Sequence, residues 1–93
     1  MSGPEYIHVE TVKRLSDMGE GEKGYIVSFE GGPHEWETLE YMGIYVGAEV
    51  VVHRRGSDAV YAWIGRRIIK LGIELASLIN VLLNDEVVYR SGY

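Results

Sequence analysis

Residues 31–52 read GGPHEWETLEYMGIYVGAEVVV, and the placing of glycines, proline and apolar residues in that stretch decides how the rest of the chain is read. Gly31 and Gly32 interrupt whatever precedes them. Pro33 suits the first turn of a helix, where its missing N–H has no intrahelical acceptor to lose. Trp36, Leu39 and Met42 recur every three residues, so a short helix ending at Met42 carries them on one face. Gly43 is the left-handed residue that closes such a helix, with Ile44 packing back on its last turn. Val46-Gly47 then supplies a tight turn with positive φ, and a β-branched run begins a strand near Glu49.

Outward from this stretch, short strands follow one another. Upstream, Val12 to Met18 is an opening segment with Leu15 buried, followed by a turn at Gly19-Glu20-Gly21-Glu22. Lys23 to Glu30 alternates with a period of two, which puts Tyr25, Val27 and Phe29 on one largely apolar face, with Ile26 partly covered from the other side. Downstream, Glu49 to Arg55 turns Val50 and Val52 inward and Val51 and His53 outward. Gly56-Ser57-Asp58 reads as a tight hairpin connection to Ala59–Ile64. Gly65-Arg66 reverses the chain again, and Ile69 and Leu71 face inward with Ile68 outside. After Gly72, Ile73, Ala76 and Ile79 share a helical face for about two turns, and Val81 with Leu83 reads as a last strand. Both Trp36 and Trp63 read as core residues. The expectation is a mainly β fold, a five-stranded barrel with one or two short helices, because close hairpins without strand–helix alternation argue against a parallel sheet.

With 93 residues the chain has room for one core. The expected organisation is an N-terminal extension at 1–10, a barrel at 11–84 and a tail at 85–93. Ile7 and Val9, with His8 between them, suit a short edge strand. Val87, Val88 and Tyr89 are too apolar for a solvated end, so the tail pairs either with the N-terminal extension or with another copy of the chain, the second case giving a homo-oligomer. Zero cysteines exclude thiolate ligands, iron–sulfur clusters and cysteine nucleophiles. No serine sits in a nucleophile elbow, and the paired glycines lack the spacing and lysine of a phosphate loop, so no enzyme activity is expected. No leader or membrane span is evident, which points to a cytoplasmic protein. The net charge of −5 divides unevenly. Eight acids against Lys23 lie between Asp17 and Glu49, whereas Arg54, Arg55, Arg66, Arg67 and Lys70 face Asp58 alone further on. A solvated surface accounts for that pattern, and so does steering of a partner or cation.

Four blocks taken together carry a family resemblance: LSDMGEGEKGYIV (Leu15 to Val27), GG then LEYMGIYVGAEVVV (Leu39 to Val52), IG then IIKL (Ile64 to Leu71), and ELASLINVLL (Glu74 to Leu83). In that order and spacing, over roughly Val12 to Leu83, the chain resembles the FeoA family, small SH3-like barrels associated with ferrous iron uptake. The resemblance implies a non-catalytic accessory protein, requiring no cofactor, that binds the cytoplasmic part of the FeoB transporter and meets the membrane only through it. Two features depart from the family pattern. The central helix is acidic where basic residues are usual, and Gly56-Ser57-Asp58 replaces a longer, proline-containing loop.

The resemblance extends to the SH3-like domain of DtxR-type metal-dependent repressors, which implies a location for metal ligands in the loop before the central helix. The matching positions are Glu30 and Glu35. Glu35 falls near the apolar side of the helix and His34 lies beside it, so Glu30, His34 and Glu35 are the expected ligands of a weak Fe, Mn or Zn site. A carboxylate in the first helical turn is also favoured by the macrodipole without any metal. Tyr41 and Tyr45, off the Trp36 face, join Glu37 and Glu40 as the expected partner-docking patch. Two other functions compete. One is a nucleic-acid-binding barrel using Arg54, Arg55, Arg66, Arg67 and Lys70 as a phosphate track, against which net acidity argues. The other is a stand-alone metal-sensor domain partnering a DtxR-type repressor.

Overall fold

Alternating apolar residues in short segments leave the chain one economical solution, an antiparallel sheet curved around its own inner face. The computed structural model describes residues 5–9, 11–83 and 86–90, with side chains for 11–83. In chain order the elements are β1 (Glu5–Val9), β2 (Val12–Arg14), a 3-10 turn (Leu15–Asp17), β3 (Lys23–Phe29), α1 (Pro33–Tyr41), β4 (Glu49–Arg55), β5 (Ala59–Ile64), β6 (Arg67–Gly72), α2 (Ile73–Ala76), β7 (Ile79–Leu83) and β8 (Glu86–Arg90). Six strands form one sheet in the order β2-β7-β3-β4-β5-β6, all antiparallel, which is a small SH3-like fold. The three-residue β2 is the strand added to the five expected. Among the described residues no helix is long and apolar enough to cross a membrane.

β1 and β8 form a separate two-stranded antiparallel sheet, from Glu5 opposite Arg90 to Val9 opposite Glu86. The tail therefore finds a partner strand in the N-terminal extension of its own chain. The expected boundaries at residue 10 and at residues 84 and 85 lie outside the described residues.

The core is aliphatic. Leu15, Met18, Ile26, Leu39, Ile44, Val50, Val52, Val60, Leu71, Ile79 and Val81 are fully buried, and Phe29, Met42, Ile69, Ile73, Leu75 and Leu83 pack around them. Three sequence expectations are corrected here. In β3 the buried face is that of Gly24 and Ile26, while Tyr25 and Val27 stand outside. Gly24 explains the inversion: it pairs with Val50 on one side and Leu83 on the other, and a Cβ there would run into the backbone of Leu82 and Leu83. The inner face of β3 begins where two backbones approach too closely for any side chain. Second, α2 is a single turn, and Ile79, expected on its face, instead opens β7 and is buried there. Third, neither tryptophan is core. Trp36 is 37% exposed and Trp63 43%.

Candidate docking surface around helix α1

Helix α1 stands proud of the sheet. Pro33 occupies its first turn, and the N–H of Trp36 bonds the carbonyl of Gly32, which is extended. At the other end the N–H of Gly43 donates to Glu40 O and that of Ile44 to Leu39 O, both at 2.9 Å, with Gly43 at φ +84°. Gly43 thus plays its expected closing role. A cation completes the cap: Arg67 of β6 donates from Nη2 to Met42 O at 3.1 Å, where the helix dipole is negative. Within α1 only Leu39 is buried. The other side chains of the helix are therefore free to make a surface.

Trp36 divides that surface. Its Nε1 donates to Glu30 O at 2.9 Å, which fixes the indole against the end of β3 while much of the ring stays in solvent. The ring forms one wall of an open cleft of about 470 Å3, with Val27, Ser28 and Phe29 of β3 opposite and Glu40, Tyr45 and Val46 completing it. Half-exposed Val27, Tyr45 and Val46 make this a predominantly apolar depression with one carboxylate at its margin. On another side of α1, His34, Glu37, Thr38 and Tyr41 line a smaller groove of about 270 Å3, and Tyr41 is 94% exposed.

The four residues expected to form one docking patch are accordingly divided by the helical period. Glu40 and Tyr45 belong to the Trp36 cleft, and Glu37 and Tyr41 to the second groove. Sequence reading missed Val27, Phe29 and Val46, and placed Trp36 inside. The available signal was the four-residue spacing of Trp36 and Glu40, which puts both on one stripe of the helix.

Glu30, His34 and Glu35 each have other occupations. Glu30 donates its N–H to Leu78 O at 2.7 Å, and its Oε2 accepts from Asn80 Nδ2 at 2.7 Å; the same amide also bonds Ser28 Oγ. Glu35 lies back over the loop, its Cβ, Cγ and Cδ 3.5 Å from where a side chain on Gly31 would begin. His34 faces the Tyr41 groove. Among the described residues no group of three His, Asp or Glu side chains is gathered closely enough to hold a metal ion.

The basic cluster is divided too. Arg55 is spent on the loop before β3, donating from Nη1 to Met18 O at 3.0 Å and from its N–H to Glu20 Oε1 at 3.2 Å. Arg67 caps α1. Arg54 and Lys70 instead flank the ring of Tyr61, at 5.8 and 5.9 Å from its centroid. The same loop contains a perturbed carboxyl, that of Glu22. The N–H of Gly19, 2.7 Å from Glu22 Oε1, holds the Glu22 carboxyl below its ordinary range, opposed by partial burial and assisted by Lys13 at 3.2 Å.

No functionally curated protein matches the chain. A crystal structure of an iron uptake regulatory protein, FeoA, shares 29% identity over 80% of this chain and 100% of that one, with a TM-score of 0.75. A manganese-dependent transcriptional repressor shares the fold at 18% identity and a TM-score of 0.74, over 82% of this chain and 44% of that one. The model of the FeoA domain matches residues 13–83, from within β2 to the end of β7 and including both helices, and the chain belongs to the FeoA family.

Proposed function

We propose that this protein is a non-catalytic accessory of ferrous iron uptake that docks on the cytoplasmic part of the FeoB transporter through the Trp36 cleft. Family membership supports a role in iron transport or metal sensing. The observation that carries the docking reading is the state of Trp36: half-exposed, lining an apolar cleft, yet already fixed by its bond to Glu30 O. A large aromatic surface held in place loses little further freedom when a partner covers it, and such residues are where binding energy concentrates. Glu40 at the margin favours a basic residue beside the apolar group that fills the cleft.

A calorimetric titration against the cytoplasmic domain of FeoB, with and without guanine nucleotide, tests the reading. Saturable binding is expected, weakened at least tenfold by Trp36→Ala, about 1.4 kcal/mol or more. Tyr41→Ala, on the other groove, should change it less than threefold. Absence of binding in both nucleotide states removes the partner, and binding indifferent to Trp36→Ala removes the cleft.

A further inference from the structure

A second set of large apolar side chains stands in solvent on the outer face of β4, β5 and β6. Strand register aligns them. Lys23, Val51, Trp63 and Ile68 lie opposite one another across β3 to β6, and Arg54, Tyr61 and Lys70 form a neighbouring row across β4 to β6. Tyr61 and Trp63 are two residues apart on β5, so both rows share one face; the intervening Ala62, with Val60 and Ile64, points into the core. Trp63 is 43% exposed and Ile68 46%. Arg54 and Lys70 lie within cation–π range of Tyr61 from the two neighbouring strands, which keeps both charges beside the aromatic ring. The face thus has an indole, a phenol and two aliphatic side chains at its centre and three cations around them. Glu49, opposite Tyr25, is the acid at its border.

We infer that this face rests on an anionic lipid bilayer surface. The chemistry favours that occupant. Tryptophan and tyrosine settle at the headgroup level of a bilayer, and arginine and lysine around them meet the negative headgroups. Ile68 decides against single-stranded nucleic acid, because an exposed aliphatic side chain next to Trp63 at the end of its row offers no stacking surface to a base but does bury apolar area at the headgroup boundary. Glu35, Glu37 and Glu40 belong to α1, outside these rows, and an anionic surface repels them while it attracts the Arg54–Lys70 row. The inference does not depend on the FeoB reading, since lipid alone is the ligand.

The test is co-sedimentation of the full chain with phosphatidylcholine vesicles, with and without phosphatidylglycerol. Trp36→Phe leaves Trp63 as the lone tryptophan for fluorescence. Binding to the phosphatidylglycerol vesicles is expected, falling as salt is raised, with a blue shift of Trp63. Arg54→Gln with Lys70→Gln should lower the partition coefficient about 25-fold, roughly fivefold for each cation removed. Trp63→Ser should lower it as well, with circular dichroism unchanged. The inference is overturned by no binding to phosphatidylglycerol vesicles at low salt, by binding indifferent to both sets of substitutions, or by a Trp63 response to single-stranded oligonucleotide that the vesicles do not produce. A dimer in light scattering that Trp63→Ser dissolves gives the face to a second copy and equally overturns it.

Discussion

Replacing Gly43 by alanine separates two costs that coincide at the end of α1. Gly43 has φ +84°, where an L-residue is strained by about 1–2 kcal/mol. A Cβ there would also meet the Arg67 guanidinium, which donates to Met42 O. The backbone cannot yield without undoing the cap, so Arg67 must move, and its charge-assisted bond, largely in solvent, is worth about 1 kcal/mol. Gly43→Ala should therefore cost about 2–3 kcal/mol, or a fall in Tm of about 10–20 °C for a domain of this size. Arg67→Ala alone should cost about 1 kcal/mol. In the double variant the bond can be lost only once, so the total should equal that of Gly43→Ala alone and fall about 1 kcal/mol short of the sum. Urea denaturation of the four proteins measures this directly. Strict additivity would show that the Gly43 methyl and the Arg67 bond do not compete, and would refute the cation cap.

Other consequences are independent of that cycle. Gly24→Ala forces a methyl into the backbone of β7, which no rotamer change relieves, so a loss of about 3 kcal/mol or more is expected in a thermal melt; a loss below about 1 kcal/mol contradicts the close approach. The depressed Glu22 carboxyl contributes stability that is present above its unfolded pKa and is lost as pH falls through the lower folded value. Glu22→Gln should therefore be less stable than the parent near neutrality, with the difference closing below about pH 4, and a gap constant over that range rejects the Gly19 bond as its source. A divalent ion at Glu30, His34 and Glu35 competes with the Asn80 amide for the negative charge of the Glu30 carboxylate. On that reading Mn(II) binding, followed by calorimetry, is abolished by Glu35→Ala and strengthened by Asn80→Ala, and heats unchanged in both variants remove the site.

The local signals that survived into the structure were those fixed by backbone chemistry. Pro33 fixes its own φ, and Gly43 and Gly47 admit the positive φ that other residues resist, so the ends of α1 and the start of β4 fall where these residues put them. Hairpin connections at Gly56-Ser57-Asp58 and Gly65-Arg66 were legible for the same reason. Misreadings arose where two periods fit the same residues. Ile73, Ala76 and Ile79 match a helical stripe, yet Ile79 also alternates with Val81, and pairing of β7 with both β2 and β3 outweighs one more helical turn. In β3 the strict alternation fails at a bulge between Ile26 and Ser28, so Tyr25 and Val27 stand outside while Ile26 and, as expected, Phe29 turn to the core. Side-chain size favoured the Tyr25–Val27 face as the inner one, but the inner position at Gly24 is set by the approach of β7, which only the paired strand reveals.

The tryptophans show why the site was harder to read than the fold. Hydrophobicity alone sends an indole inward, and in a large domain that is where it goes. Here the concave side of the sheet has little room. Ala48, Ala59, Ala62 and Ala76 are all buried, and the other buried apolar side chains are valine, leucine, isoleucine and methionine, with Phe29 only partly covered. Small barrels fill their interiors by mixing small and branched side chains, and an indole in place of Ala62 would overlap its neighbours on β4 and β6. Both tryptophans are therefore driven to the outside by volume, not by polarity, and once there they expose apolar area that water covers at a cost. Trp36 recovers part of that cost through Glu30 O and the cleft wall, whereas Trp63 lies in its row between Val51 and Ile68. Exposed aromatics that the core has no volume to accept, held in rows by strand register or by a hydrogen bond, are the positions at which a small β domain meets something else, and in this chain they lie on two different surfaces.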